Sequence, residues 1–297
     1  MLKATEERIL IDTYPEAQRE NLPMFAENRV HQRTSGNPYP NKVVLEAQRD
    51  VREKREYTVI KLENDFIEIG ILPELGGKIW YANDKKNGYG FFYKNNVVKP
   101  ALIGVLGSWT SGGLEFNWPF HHRASTFMPV DHYIEEGDGE ITVWLSEHDP
   151  INRMKGMIGV CLREGECIFE TKMKLDNITP HRHSFLFWEN AAVPVDESYE
   201  IFFPEDVNHV HFHYKRSVTT FPIANNDRFG AFNGIYYDGD TDISKHKNTI
   251  QATSYFSASS KYDYFGGYNN NKGAGVVHIA DHHISPGKKC LLGLILS

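Results

Sequence analysis

From Tyr57 onward the chain is a succession of short strand-like runs separated by turn residues, and this punctuation constrains the fold more than any other feature. YTVIKL (57–62) and FIEIGILP (66–73) are joined by Glu63-Asn64-Asp65, a hairpin-length connection. KIWYAN (78–83) and GFFYKN (90–95) follow, parted by the turn-forming Lys85-Lys86-Asn87-Gly88. The pattern continues through ITVWLSE (141–147), MIGVCLR (157–163), CIFETKMKL (167–175), SFLFWENAAVPV (184–195), YEIFF (199–203), NHVHFHY (208–214), GAGVVHIA (273–280) and CLLGLIL (290–296). No helical period runs beyond two turns after residue 57. Many strands, short turns and no interleaved helices predict an all-β, antiparallel sandwich rather than a βαβ fold. The main domain is expected over 57–297. Residues 1–56, charged and without sustained periodicity, are expected to form an N-terminal arm packed on it, with a short helix near Tyr14 to Asn21.

Composition narrows the function classes. The 297 residues carry a net charge of −7, so a polyanion such as nucleic acid is not the expected partner. Hydrophobic residues at 40% suffice for a substantial core, and 15 Tyr with 18 Phe suit strands and stacking surfaces. The three cysteines, Cys161, Cys167 and Cys290, form no CxxC pair, so neither a disulfide framework nor a structural zinc site is expected. The N-terminus alternates charged and apolar residues, unlike a signal peptide, and no stretch is long enough to span a bilayer as a helix. A cytoplasmic protein with no cofactor and no membrane partner is the expectation.

The densest chemistry lies in Ser111 to Ser125, SGGLEFNWPFHHRAS. Gly112 and Gly113 permit close approach of backbone. Glu115, Asn117, Trp118, His121, His122 and Arg123 supply a carboxylate, an amide, an aromatic face, two imidazoles and a guanidinium. A sugar, with apolar C–H faces and a rim of hydroxyls, is recognised by such a mixture; a loop capping its own backbone is the alternative. In SFLFWENAAVPV, Trp188, Glu189 and Asn190 interrupt an apolar strand. A carboxylate there belongs at a strand edge or facing a cleft, because an unpaired buried charge is costly. Gly76 and Gly77 in LPELGGKI are read as a bulge or tight bend.

Two further stretches are rich in histidine. His209, His211 and His213 recur at every second position, which puts them on one face of a strand about 7 Å apart per step. They are weak candidates for a metal site. His282 and His283 follow Asp281 in a turn, where one imidazole can carry a proton and Asp281 can orient a ring.

Together LPELGGKI (72–79), SGGLEFNWPFHHR (111–123), FMPVDH (127–132), FPEDV (203–207), TDIS (241–244), YDYFGGYN (262–269) and HHISPGKK (282–289) resemble a family of bacterial proteins of unassigned function. Its domain is similar to galactose mutarotase, and some members carry tetratricopeptide repeats. The resemblance implies an antiparallel β-supersandwich with a concave carbohydrate-binding face gathering Glu115, Asn117, His121, His122, Arg123, Trp188, Glu189 and His283. In the related epimerases a histidine protonates the ring oxygen and a glutamate removes the anomeric hydroxyl proton. His121 or His122 is similar in position to their sugar-binding histidine. The Trp188–Asn190 stretch lies where they carry a catalytic histidine motif, a departure from simple mutarotase chemistry. After Lys288-Lys289 the family continues with a Trp-Gly segment and a later glutamate, whereas this chain reads CLLGLILS. A C-terminal truncation is therefore expected, with a genuine short final strand as the alternative.

The leading functional expectation is a carbohydrate-active enzyme. Glu115, His122, Glu189 and His283 are its catalytic candidates, and Asn117, Trp118, His121, Arg123, Trp188 and His282 its substrate-binding ones. Glu115 and Glu189 would serve as acid and base if they face each other across a sugar. A non-catalytic sugar-binding module, and a metal-dependent enzyme using His209, His211 and His213, are the rivals.

Overall fold

The computed structural model describes residues 1–16, 50–102, 108–119, 123, 126–149, 153–212, 218–224, 239–249 and 252–292. The chain divides into two compact units, Met1–Pro194 and Val195–Ser297. Among the described residues the only helical elements are two single 3-10 turns, Pro73–Leu75 and His246–Asn248, and the rest is strand and turn, as the punctuation predicts.

The first unit holds β1 (Lys3–Thr13), β2 (Glu53–Glu63), β3 (Ile67–Leu72), β4 (Lys78–Asp84), β5 (Val97–Val98), β6 (Ala101–Leu102), β7 (Ser108–Trp109), β8 (Leu114–Asn117), β9 (Asp131–Glu136), β10 (Glu140–Asp149), β11 (Met154–Arg163), β12 (Phe169–Asn177) and β13 (Trp188–Ala191). A seven-stranded sheet runs β13-β8-β4-β3-β2-β1-β5 and a four-stranded sheet runs β12-β11-β10-β9. All pairings are antiparallel except the short one between β1 and β5. The two sheets pack face to face. Ile60, Leu62, Ile67, Ile69, Ile71, Ile79, Leu114 and Phe116 from one sheet meet Ile141, Val143, Leu145, Ile158, Val160 and Leu162 from the other. Period-two alternation delivers this core: every second residue of each strand turns inward, and burial of these side chains supplies the main driving force.

The seven-stranded sheet has a second apolar cluster on its other face. Ile11, Tyr57, Val59, Leu72 and Trp80 pack there with Leu75, Val98 and Phe127. Here the expected N-terminal arm needs correction, because Lys3–Thr13 pairs along its whole length with Glu53–Glu63 inside the sheet. Its charges hid the strand: Glu6, Glu7 and Arg8 line up toward solvent while Ile11 and Thr13 are buried. The helix expected near Tyr14 to Asn21 lies mostly outside the described residues. GFFYKN (90–95) is also not a strand but an irregular segment, tied on by a bridge from Asn83 to Gly90.

The second unit contains β14 (Tyr199–Phe202), β15 (His209–Phe212), β16 (Val218–Thr220), β17 (Ile223–Ala224), β18 (Thr241–Asp242), β19 (Thr253–Ser257), β20 (Tyr264–Asn269), β21 (Ala274–Ile279) and β22 (Lys288–Leu292). They form a three-stranded sheet, β14-β20-β21, a four-stranded sheet, β16-β15-β19-β22, and a small β17-β18 ribbon. The apolar end of the chain contributes through β22, which pairs with β19 from Lys288 to Leu292.

Candidate functional site

Strand β8 decides which groups meet. Leu114 and Phe116 enter the core between the sheets, so pleating sends Glu115 and Asn117 to the opposite face. The β8–β13 register pairs Trp188 with Asn117 and Asn190 with Glu115, which places Trp188 and Asn190 on that same face. The β4–β8 ladder pairs Ile79 with Leu114, so Lys78, one step along, comes beside Glu115. Lys78, Glu115, Asn117, Trp188 and Asn190 thus form a polar row on the face that also carries the Tyr57 and Trp80 apolar cluster and, further along, the Lys61–Glu68 ion pair.

Hydrogen bonds organise the row. Lys78 Nζ donates to the Thr110 carbonyl at 2.6 Å and to Thr110 Oγ1 at 2.8 Å. Asn190 Nδ2 donates to Glu115 Oε1 at 2.9 Å. The Arg123 amide donates to Asn117 Oδ1 at 3.0 Å. Lys78 is 3% and Glu115 4% exposed, so neither charge has much water. Burial lowers the Lys78 ammonium from 10.5 to about 8, and the nearby Glu115 charge opposes that fall. Asn117 Nδ2 is buried and has no hydrogen-bond partner among the described residues. Trp188 and Asn190, half-buried on the edge strand, are the accessible members of the row. A carboxylate, an amine, two amides and an indole on one face can bind hydroxyls and can move a proton.

Several expected site residues sit elsewhere. Glu189 pairs with Phe116 and so belongs to the face opposite Glu115; the two carboxylates do not face each other, and the condition for an acid–base pair fails. Trp118, expected to stack on a sugar, is 1% exposed and packs against Gly156 of β11, inside the sandwich. Arg123 is held by an ion pair to Glu147 at 3.1 Å and by a hydrogen bond to the Gly76 carbonyl, which ties its loop to the bend at Gly76 and Gly77. The close approach that Gly113 permits is to the carbonyl of Ile79 on β4, with φ at 72°, so it serves strand packing. His121 and His122 lie outside the described residues.

His282 and His283 are in the second unit, each ring against a carboxylate: His282 Nδ1 to Asp263 at 2.8 Å and His283 Nδ1 to Asp281 at 2.9 Å. His209 and His211 alternate outward on β15 while Val210 and Phe212 are buried, as their spacing predicts; His213 is outside the described residues. Lys78, Thr110, Glu147 and Asp263 were not singled out by sequence reasoning. For Lys78 one signal was available, a lone charge opening the apolar run KIWYA, beside Gly76 and Gly77, which alone are read as a bend. A cavity of about 240 Å³ lined by Thr13, Tyr57, Glu74, Leu75, Val98 and Phe127 also lies in the first unit. It is below the roughly 300 Å³ at which small-molecule pockets begin.

The fold is an all-β sandwich whose seven-stranded sheet carries a largely buried polar row on the face away from the four-stranded sheet. The chain belongs to the family described as "Domain of unknown function (DUF5107)", whose model matches residues 35–293. Among solved structures it is similar to a TPR-domain containing protein from Parabacteroides distasonis ATCC 8503, with a TM-score of 0.81 and 20% identity. That alignment covers 100% of this chain and 47% of the other, so the chain spans about half the length of that protein. The likeness supports the all-β fold. HI1317 is a weaker match, with a TM-score of 0.43 and 8% identity over 76% of this chain and 75% of that one, and nothing is taken from it.

Proposed function

We propose that the chain is a carbohydrate-binding protein of galactose mutarotase-like architecture, with its sugar site on the face bearing Lys78, Glu115, Asn117, Trp188 and Asn190. The observation carrying this reading is the register that puts an accessible indole and amide beside a buried, hydrogen-bonded carboxylate on one sheet face. Trp188 offers the apolar wall for a pyranose and Asn190 a polar contact to its hydroxyls. The acidic net charge of −7 favours a neutral sugar over a polyanion. A glycan array on the whole chain tests it. Trp188→Ala and Asn190→Ala should each weaken the bound sugar by at least about 10-fold. If the array shows no sugar bound, or if both variants bind as the parent does, the reading is rejected.

One observation favours a second reading, an acid–base enzyme. Lys78, lowered to about 8 by burial, lies beside Glu115, and such an amine can exchange a proton near neutral pH. Glu115→Gln should then abolish turnover of the bound sugar while leaving its binding. Absence of turnover on every bound sugar would leave recognition alone.

A further inference from the structure

The turn between β21 and β22 carries a cluster that the sugar site does not use. We propose that Asp281, His282 and His283 bind one divalent first-row transition-metal ion, of the zinc type, with Asp263 as its fourth group or as the orienter of His282. The donor-capable atoms of Asp281, His282 and His283 all lie within 4.8 Å of one another. Neighbouring residues commonly point apart, yet here the two imidazole rings converge, with centroids 3.9 Å apart and planes tilted by 39°. Each Nδ1 sits against a carboxylate, His282 on Asp263 at 2.8 Å and His283 on Asp281 at 2.9 Å. In a tetrahedral zinc site, with bonds of about 2.0–2.2 Å, ligand atoms stand roughly 3.3 Å apart, so small side-chain rotations close the cluster on an ion.

The backbone already holds the turn in place. The His282 amide donates to Asp263 Oδ1 at 2.9 Å and the His283 amide to Asp281 Oδ1 at 2.8 Å. The amides of Ile284 and Ser285 both donate to the Asp281 carbonyl, at 3.0 and 2.8 Å. The ligand set is thus pre-arranged at little further conformational cost. Two imidazoles with carboxylates and no thiolate select Zn²⁺, Co²⁺, Ni²⁺ or Cu²⁺ over Mg²⁺ and Ca²⁺, which prefer all-oxygen shells. The His283 side chain is 76% exposed, so a bound ion would keep a position open to water or to a hydroxyl or carboxylate ligand. His209 and His211 differ, lying about 7 Å apart on an extended strand.

The test is titration of ZnCl2 into the whole chain after EDTA treatment, by calorimetry, with CoCl2 absorbance as a spectroscopic report of geometry. The parent should bind one ion per chain and give the visible band of a four-coordinate Co²⁺ site. His282→Ala and His283→Ala should each weaken binding more than about 100-fold, and Asp263→Asn by about 10–100-fold if it orients the ring. A double variant His209→Ala/His211→Ala should bind as the parent does. Absence of saturable binding at one equivalent in the parent, or loss of binding in the His209/His211 variant with His282→Ala unaffected, overturns the proposal. Melting curves without metal distinguish lost ligands from lost fold. Should an alanine variant fail to fold, His282→Gln and His283→Gln take its place with the same loss of binding expected.

Discussion

The two faces of the seven-stranded sheet are built from the same strands and differ in what they bury. The face toward the four-stranded sheet is mainly aliphatic and aromatic from Ile60 to Phe116, with Glu189 on its edge strand. The other begins as a similar apolar cluster around Tyr57 and Trp80 and ends in Lys78, Glu115, Asn117, Trp188 and Asn190. The first face contributes stability through area removed from water. The second holds charges at a desolvation cost that only mutual pairing and hydrogen bonds offset. Chemistry-bearing groups kept where they cost stability are the reason the proposed site is put on the second face, and that contrast can be broken by experiment.

The largest effects should come from the core and from the buried charges. Phe116→Ala should cost about 3–5 kcal/mol in denaturant unfolding, since a wholly buried ring leaves a cavity between two sheets. Lys78→Met should cost less, about 1–3 kcal/mol, because the Thr110 carbonyl and hydroxyl lose their buried donor and Glu115 loses a nearby cation, partly offset by relief of the ammonium's own burial cost. The double variant Lys78→Met/Glu115→Gln should recover the part of that loss due to Glu115. If it does not, the row is held by packing rather than by charge.

The same lysine makes a pH prediction. Its folded value of about 8 lies below its ordinary 10.5, so between these the unfolded chain holds more protons. Stability should therefore rise with pH across that window, while below about 8 the cost of the buried ammonium is fully present. Unfolding curves of Lys78→Met should lack this rise, and an equal slope in parent and variant would assign it elsewhere.

Smaller effects test the faces one residue at a time. Gly156→Ala should destabilise by about 1–3 kcal/mol, because a methyl there overlaps the Trp118 ring. A neutral outcome in thermal unfolding would mean that the ring is free to shift, and would reopen its role at the surface. Glu189→Gln, on the face away from Glu115, should change sugar affinity by no more than about twofold in calorimetry. A large loss would restore the pairing of two carboxylates.

Much of the fold is legible along the chain because strand alternation is local. YTVIKL, FIEIGIL and MIGVCLR announce strands by composition and period, and His209 and His211 announce a shared face by spacing alone. KATEERILIDT was harder to read, since its solvent-facing charges mask the two inward positions near its end. Within SGGLEFNW, local parity already separates Glu115 and Asn117 from Phe116 and Trp118, yet which pair faces the core depends on the partner sheet.

The residues themselves therefore determined the all-β class, the main strands and the polar richness of the site-forming segments, because those properties reside in neighbours along the chain. Only the tertiary structure decided that Glu115 meets Lys78 and Asn190, that Glu189 turns the other way, and that Trp118 is core. The physical reason is register. A shift of one residue between β8 and β13, which lie far apart in the chain, would exchange every side chain between the two faces. No local pattern specifies that shift; the packing of Leu114 and Phe116 against the opposing sheet does.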